Sequence, residues 1–246
     1  MTLVLVTGGA SGIGAGCVNR FLDLGHEVIN LDIHHHQVER SGEHQVTLDL
    51  SQPEAVTSAI EAIIDHYGTP QVTINSAGIS RMDFAVDSQL KDWQDTFNIN
   101  VYSLFLISQA VARALKHAGQ PGRIIQLASQ AGKNGYQAMV SYVASKHAVI
   151  GITKTMAKEL ALDGILVNAV CPGIVETPMK RRERIEGGHL RGLTAAAIEA
   201  EDQSQVPLGR TASVADVVNV IEFLASDKAS YMTGQAINVT GGMTMH

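Results

Sequence analysis

The chain has only two cysteines in 246 residues, Cys17 and Cys171, and they fall into no paired pattern. That excludes a disulfide framework and leaves two free thiols, as expected of a protein in a reducing cytoplasm. Neither cysteine belongs to a Cys/His cluster, so a catalytic zinc is not expected and no metal is assigned. No apolar run is long enough to span a bilayer, and the N-terminus enters a strand directly, without the pattern of a signal peptide. Positive charge is also in short supply: the net charge is −6 and no basic stripe runs along the chain, which argues against nucleic acid as a partner. There is no linker, no internal repeat and no low-complexity tract longer than His34-His35-His36.

What the sequence does contain is alternation. Short β-rich runs near 3–7, 27–32, 44–48, 71–75, 122–128, 164–170 and 235–239 are separated by longer helical patterns, the signature of right-handed βαβ units. With 45% hydrophobic residues the chain can bury a large core. The expected fold is α/β: one domain over 1–246, a Rossmann-like, doubly wound sheet of seven parallel strands flanked by helices. Pro53 suits a helix first turn, whereas the few residues between Asp32 and His44 leave room only for a short or irregular crossover.

Chemistry enters with Tyr142 and Lys146, four apart and therefore on one face of a helix, and with Ser129 thirteen positions upstream at the end of a strand. At the other end of the chain, Leu3-Val4-Leu5-Val6-Thr7 runs into Gly8-Gly9-Ala10-Ser11-Gly12-Ile13-Gly14 and then a helical stretch. A strand whose glycines open a helix lets a pyrophosphate approach bare backbone and the positive end of the helix dipole. The second apolar run ends in Asp32, placed to accept from the hydroxyls of an adenosine ribose.

These motifs resemble the short-chain dehydrogenase/reductase family nearly end to end. The resemblance rests on Thr7-Gly8-x-x-x-Gly12-x-Gly14, Asn75-Ser76-Ala77-Gly78, Asn100, the set Ser129, Tyr142 and Lys146, and Cys171-Pro172-Gly173-Ile174-Val175-Glu176-Thr177. It implies a catalytic tetrad of Asn100, Ser129, Tyr142 and Lys146. It further implies a cofactor site made by Gly8, Ser11, Gly12, Ile13, Gly14, Asp32, Asp49, Leu50, Asn75, Ala77, Gly78, Tyr142, Lys146, Pro172, Gly173, Val175 and Thr177. The family's lysine also binds the nicotinamide ribose, and its asparagine positions a water leading from lysine to solvent. Relatives form tetramers, here expected through helices near Gln94–His117 and Ser141–Leu162, where Val101, Leu104, Phe105 and Val149 exceed the needs of one helix face, and through the C-terminal strand.

Hydride exchange between an alcohol and nicotinamide requires a base for the hydroxyl proton. A phenol with a reference pKa of about 10 needs roughly 3–4 kcal/mol of stabilisation of its anion to serve near neutrality. Lys146 and the positive ring of oxidised NAD are the expected source, and Ser129 is expected to hold the substrate oxygen. Asp32 repels a 2′-phosphate, so the cofactor is expected to be NAD. The segment 179–205 is expected to form a helical lid that chooses a small-molecule alcohol or ketone. Lys180, Arg181, Arg182 and Arg184 either grip an anionic group or form a solvated face in which Arg184 pairs with nearby glutamates. The lid and the C-terminal sequence are similar to the polyol, sugar-alcohol and vicinal-diol branch. A 3-oxoacyl-thioester or sugar-acid reductase and a non-catalytic NAD(H)-sensing protein are the alternatives. Gln130 and Lys133 either touch substrate or close a loop, and the three histidines are read as solvated loop residues beside the adenosine site.

Overall fold

The computed structural model describes residues 2–35, 38 and 40–246, so His36 of the histidine run lies outside the described residues. Strands β1 (Leu3–Thr7), β2 (Glu27–Asp32), β3 (Glu43–Thr47), β4 (Val72–Asn75), β5 (Gly122–Leu127), β6 (Ile165–Pro172) and β7 (Ala236–Val239) form one sheet in the order β3-β2-β1-β4-β5-β6-β7. Every pairing is parallel, with Val4 opposite both Val28 and Val72. The expected strands stand within one or two residues of these. The largest difference is at β6, which continues through Cys171 and Pro172 because β7 pairs with them.

Alternating side chains send β1 into two cores, as the pleat requires. Leu5 joins Ile29, Ile124 and Val167 beneath helices α2 (Pro53–Tyr67), α4 (Leu104–Ala118) and α5 (Val140–Leu160). Val4 and Val6 join Val28, Ile74 and Ile125 beneath α1 (Gly12–Asp23) and α8 (Val214–Ala225). Pro53 is the first residue of α2, where its missing N–H has no intrahelical partner to lose. Among the described residues of 33–42 there is no helix, so the β2–β3 crossover is irregular.

Two expectations about the long helices need correction. The single helix expected over Gln94–His117 is α3 (Leu90–Phe97) joined to α4 by a π-helical turn, Asn98–Ser103, a wider winding that turns Asn100 inward. The apolar excess assigned to assembly is mostly internal: Val101, Leu104 and Val149 are 7%, 3% and 0% exposed. Leu104 and Val149 pack with Ala128 and Cys171 between helices and sheet. Phe105 alone of the four stands at the surface, beside Tyr102.

Candidate functional site

A cavity of about 610 Å³ opens where the strand order reverses, at the C-terminal ends of β1 and β4, the place where open α/β sheets bind ligands. One end is built from main chain. Gly8 and Gly12 have φ of +69° and +54°, and a Cβ on Gly14 would lie 2.0 Å from the Gly8 carbonyl oxygen. Ser11 precedes α1 without its side chain capping it, which leaves the first-turn N–H groups of Gly12, Ile13 and Gly14, all cavity-lining residues, without a side-chain cap from it. This bare, donor-rich concavity fits a pyrophosphate. Asp32, at the tip of β2, accepts from the Ala10 and His34 N–H groups and lines the same end together with Asp49 and Leu50. His34 is exposed and His35 half-buried.

The middle of the cavity collects Ser129, Tyr142 and Lys146. Ser129 follows β5 and caps a one-turn helix by accepting from the Ala131 N–H at 3.1 Å. Tyr142 and Lys146 leave α5 on one face, with the Lys146 Nζ 5.5 Å from the Tyr142 ring centre. That Nζ donates to the Leu127 carbonyl at 2.7 Å, and burial lowers the Lys146 pKa to about 8. Burial raises the Tyr142 phenol well above its ordinary range; the Glu183 carboxylate pushes the same way and the Ser129 hydroxyl opposes it. The expected stabilisation of the phenolate is assigned to Lys146 together with the positive ring of oxidised NAD; in the protein alone the phenol is held up chiefly by burial and by the Glu183 carboxylate.

Asn100 is fully buried and does not line the cavity. Its side chain accepts from the Ile79 N–H, donates to the Ile79 carbonyl and donates to Ser145. It thereby fixes the wall beside Gly78, where a Cβ would lie 3.3 Å from Asn100 Oδ1 and 3.6 Å from Lys146 Nζ. Asn75 also stands behind the wall, donating to Ser108 and Gln126. The other residues expected at the cofactor, from Ala77 and Gly78 to Pro172, Gly173, Val175 and Thr177, line the cavity. Gln130 lines it too and accepts from Thr244, while Lys133 ties Ala236 to the C-terminal residue His246.

A family model described as enoyl-(acyl carrier protein) reductase matches residues 8–244. The chain belongs to the short-chain dehydrogenase/reductase family. Among curated relatives, a monensin polyketide synthase putative ketoacyl reductase of Streptomyces virginiae is 37% identical over 98% of this chain and 96% of its own. Among solved structures, sorbitol-6-phosphate 2-dehydrogenase from Erwinia amylovora superposes with a TM-score of 0.92 at 29% identity, covering 99% of this chain and 100% of that one. A 4-hydroxyisoleucine dehydrogenase complexed with NADH gives 0.88 at 29% identity, covering 99% of both chains. The fold and the family assignment thus agree with the resemblance read from the motifs, and the chain is an oxidoreductase of this family.

The far end of this dehydrogenase/reductase cavity is closed by α6 (Pro178–Arg191) and α7 (Ala195–Ser204). Its chemistry was not visible in the sequence motifs. Arg184, expected on a solvated face, is buried among Glu176 at 2.6 Å, Asp202 at 2.9 Å and Glu199 at 3.3 Å, and Lys180 takes the other Asp202 oxygen at 3.0 Å. The pairing with acidic residues was legible; the burial was not, because the partners come from β6's following loop and from α7. Arg182 donates to both oxygens of Ser80, each at 2.9 Å. Of the four cations in the run, only Arg181 is exposed. Glu183, Ser80 and Met82 were missed as site residues. Glu183 sits within the basic run, where its charge reads as an ion-pair partner rather than as a cavity wall.

Proposed function

We propose that the protein is an NAD-dependent dehydrogenase that moves a hydride between nicotinamide and a secondary alcohol or its ketone, acting on a neutral polyol, sugar alcohol or vicinal diol. The observation that carries this reading is the single cavity with a glycine cradle and Asp32 at one end and Ser129, Tyr142 and Lys146 in the middle. The glycine turn would hold the pyrophosphate, Asp32 the adenosine ribose, and Lys146 the nicotinamide ribose. When bound, the cofactor supplies the hydride-accepting ring and, oxidised, a positive charge. Tyr142 takes the alcohol proton, Ser129 holds the oxygen, and Lys146 stabilises the phenolate against the burial and the Glu183 charge that oppose it. Asn100 positions this group by clamping Ile79.

Choice of NAD is supported by Asp32 and by the absence of Lys and Arg from residues 8–14 and 31–35, and by the NADH named with the hydroxyisoleucine enzyme. Choice of a neutral substrate is supported by the engagement of Lys180, Arg182 and Arg184 with the protein's own groups. A 3-oxoacyl-thioester reductase is the second reading, favoured by the Streptomyces virginiae relative. We read the chain as one catalytic domain with α6 and α7 as its lid, working as a homotetramer in the cytoplasm. The exposed Tyr102 and Phe105 support a subunit contact, and the free buried Cys17 and Cys171 support a reducing compartment.

The test is cofactor reduction by the purified protein over a panel of polyols, diols and mono-alcohols. NAD should exceed NADP by at least about tenfold in kcat/KM, which requires only about 1.4 kcal/mol. Tyr142→Phe should lose turnover by about a thousandfold or more while NADH still quenches or enhances fluorescence with nearly unchanged affinity. NADPH-driven reduction of a 3-oxoacyl thioester exceeding every alcohol oxidation would replace this reading with the second.

A further inference from the structure

Seven residues of α6 line the cavity: Pro178, Met179, Lys180, Glu183, Gly187, Leu190 and Arg191. Three carry charge, and two of those are spent inside the protein, Lys180 on Asp202 and Arg191 on Glu201. Glu183 differs. Among the described residues no cation forms an ion pair with it, although Arg181, Arg182 and Arg184 adjoin it in sequence. One carboxylate oxygen, Oε1, accepts from the Ser80 hydroxyl at 2.5 Å; no other hydrogen bond reaches the carboxylate from the described residues.

The direction of that bond is set by its neighbours. Arg182 donates to the Ser80 oxygen, so the single hydroxyl proton of Ser80 is left for Glu183. Ser80 is itself fully buried and follows Ile79, whose N–H and carbonyl are both held by Asn100. A continuous set of bonds therefore runs from the wall beside Tyr142 to the Glu183 carboxylate and fixes its place. One turn further on, Gly187 presents no side chain, and a Cβ there would lie 3.0 Å from the Met82 methyl. The same end of the cavity is lined by the apolar Met82 and Met179 and by Lys180 and Asp202, which pair with each other. Glu183 and Tyr142 line the same cavity, and the Glu183 charge adds to the burial that raises the Tyr142 phenol. A carboxylate in such surroundings is stabilised by one more donor and destabilised by a second negative charge.

We infer that Glu183 is the specificity-determining residue: it accepts a hydrogen bond from a second hydroxyl of the substrate, adjacent to the carbinol held by Ser129 and Tyr142, and rejects an anionic group at that position. The inference rests on the proposed alcohol dehydrogenase reading and deepens it.

Propylene glycol, isopropanol and lactate form a matched set, presenting a hydroxymethyl, a methyl and a carboxylate on the same secondary carbinol. With NAD, the wild-type enzyme should favour propylene glycol over isopropanol by about thirtyfold or more in kcat/KM, with lactate poorest, as expected for a hydrogen bond to a charged group. Glu183→Ala should bring propylene glycol down to the isopropanol level while isopropanol itself changes by less than about threefold. Glu183→Gln retains the acceptor for Ser80 and should raise lactate relative to propylene glycol by about tenfold, by removing the repulsion. Both variants should bind NADH as the wild type does, which reports that they are folded.

A wild-type preference for lactate, or equal losses on all three substrates in both variants, would overturn the inference and leave the dehydrogenase reading in place. Failure of the wild type to oxidise any alcohol of the wider panel would remove the dehydrogenase reading and the inference together.

Discussion

The two ends of the cavity are made in opposite ways. At the glycine end the recognising surface is main chain: positive φ at Gly8 and Gly12, first-turn N–H groups of α1, and a Gly14 position where a Cβ would collide with a carbonyl. At the α6–α7 end it is side chain, with Lys180, Glu176, Glu199 and Asp202 joined in one cluster around the buried Arg184. A main-chain site tolerates few sequences and keeps one shape, because glycine is required where any Cβ would clash. A side-chain site keeps its shape only while its charges balance, and a change of partners re-forms it. The same fold can therefore hold one cofactor geometry while its substrate end varies.

The hardest blow to the variable end is Arg184→Met. Arg184 is 4% exposed and ties Glu176 and Glu199, which reach solvent, to the buried Asp202, so its removal leaves Asp202 with Lys180 alone and unties α6 from α7. The expected loss is about 2–3 kcal/mol, since two of the three partners are screened by water, and it should be concentrated in α6 and α7. Hydrogen exchange should show those helices opening early while amides of β1 and α1 keep their protection, and NADH affinity should change by less than about fivefold. Cooperative loss of protection in α1 together with α6 would show that the two ends are one structural unit.

Lys146 lies between the two ends and tests whether the middle is held by charge or in spite of it. Burial lowers its pKa from 10.5 to about 8. Between those values the unfolded chain binds a proton that the folded protein has released, so stability should rise as pH climbs through this window, by about 3 kcal/mol in full. Lys146→Met should abolish that rise and be more stable than wild type at neutral pH. Urea unfolding of both proteins at several pH values checks this, read as the difference between the curves. Cys17, raised to about 12 by burial, contributes the opposite slope above its ordinary value of 9.0 in both. Parallel curves would mean that the ammonium is compensated by its bond to Leu127 and that burial does not control it.

The same contrast explains what the sequence disclosed. Parallel strands buried on both faces read as apolar runs, so β1, β2 and β4 stand where Leu3–Thr7, Glu27–Asp32 and Val72–Asn75 place them. Glycines needed for backbone reasons are legible for the same cause, and so are Ser129, Tyr142 and Lys146, whose separation along the chain is imposed by one strand, one short turn and one helix. The π-turn at Asn98–Ser103 has no comparable mark; helical residue types continue through it, and only the packing shows that Asn100 faces inward. Burial of Val101, Leu104 and Val149 within the chain escaped a reading based on one helix face, because the Asn98–Ser103 turn packs against α5, and Leu104 joins Val149 against the sheet. Glu183 was hidden by its own neighbours, since a carboxylate among four cations reads as paired until Asp202, Glu176 and Ser80 are seen to take Lys180, Arg184 and Arg182, and Arg181 is seen at the surface.

The smallest effect separates Arg181 from Arg182, which adjoin each other in sequence but not in role. Arg181 is exposed, so Arg181→Gln should leave kcat/KM for propylene glycol within about twofold, the usual result for a solvated charge. Arg182 holds Ser80 through both its carbonyl and its hydroxyl, and Ser80 in turn donates to Glu183. Arg182→Gln frees the Ser80 hydroxyl to turn away and should lower kcat/KM for propylene glycol by about five- to tenfold, with isopropanol hardly affected. A hundredfold loss from Arg181→Gln, about 2.7 kcal/mol, that grows with substrate negative charge and shrinks with added salt would place an anion at this surface. The α6–α7 end would then be built for a charged substrate after all, and its difference from the glycine end would lie in which anion each receives.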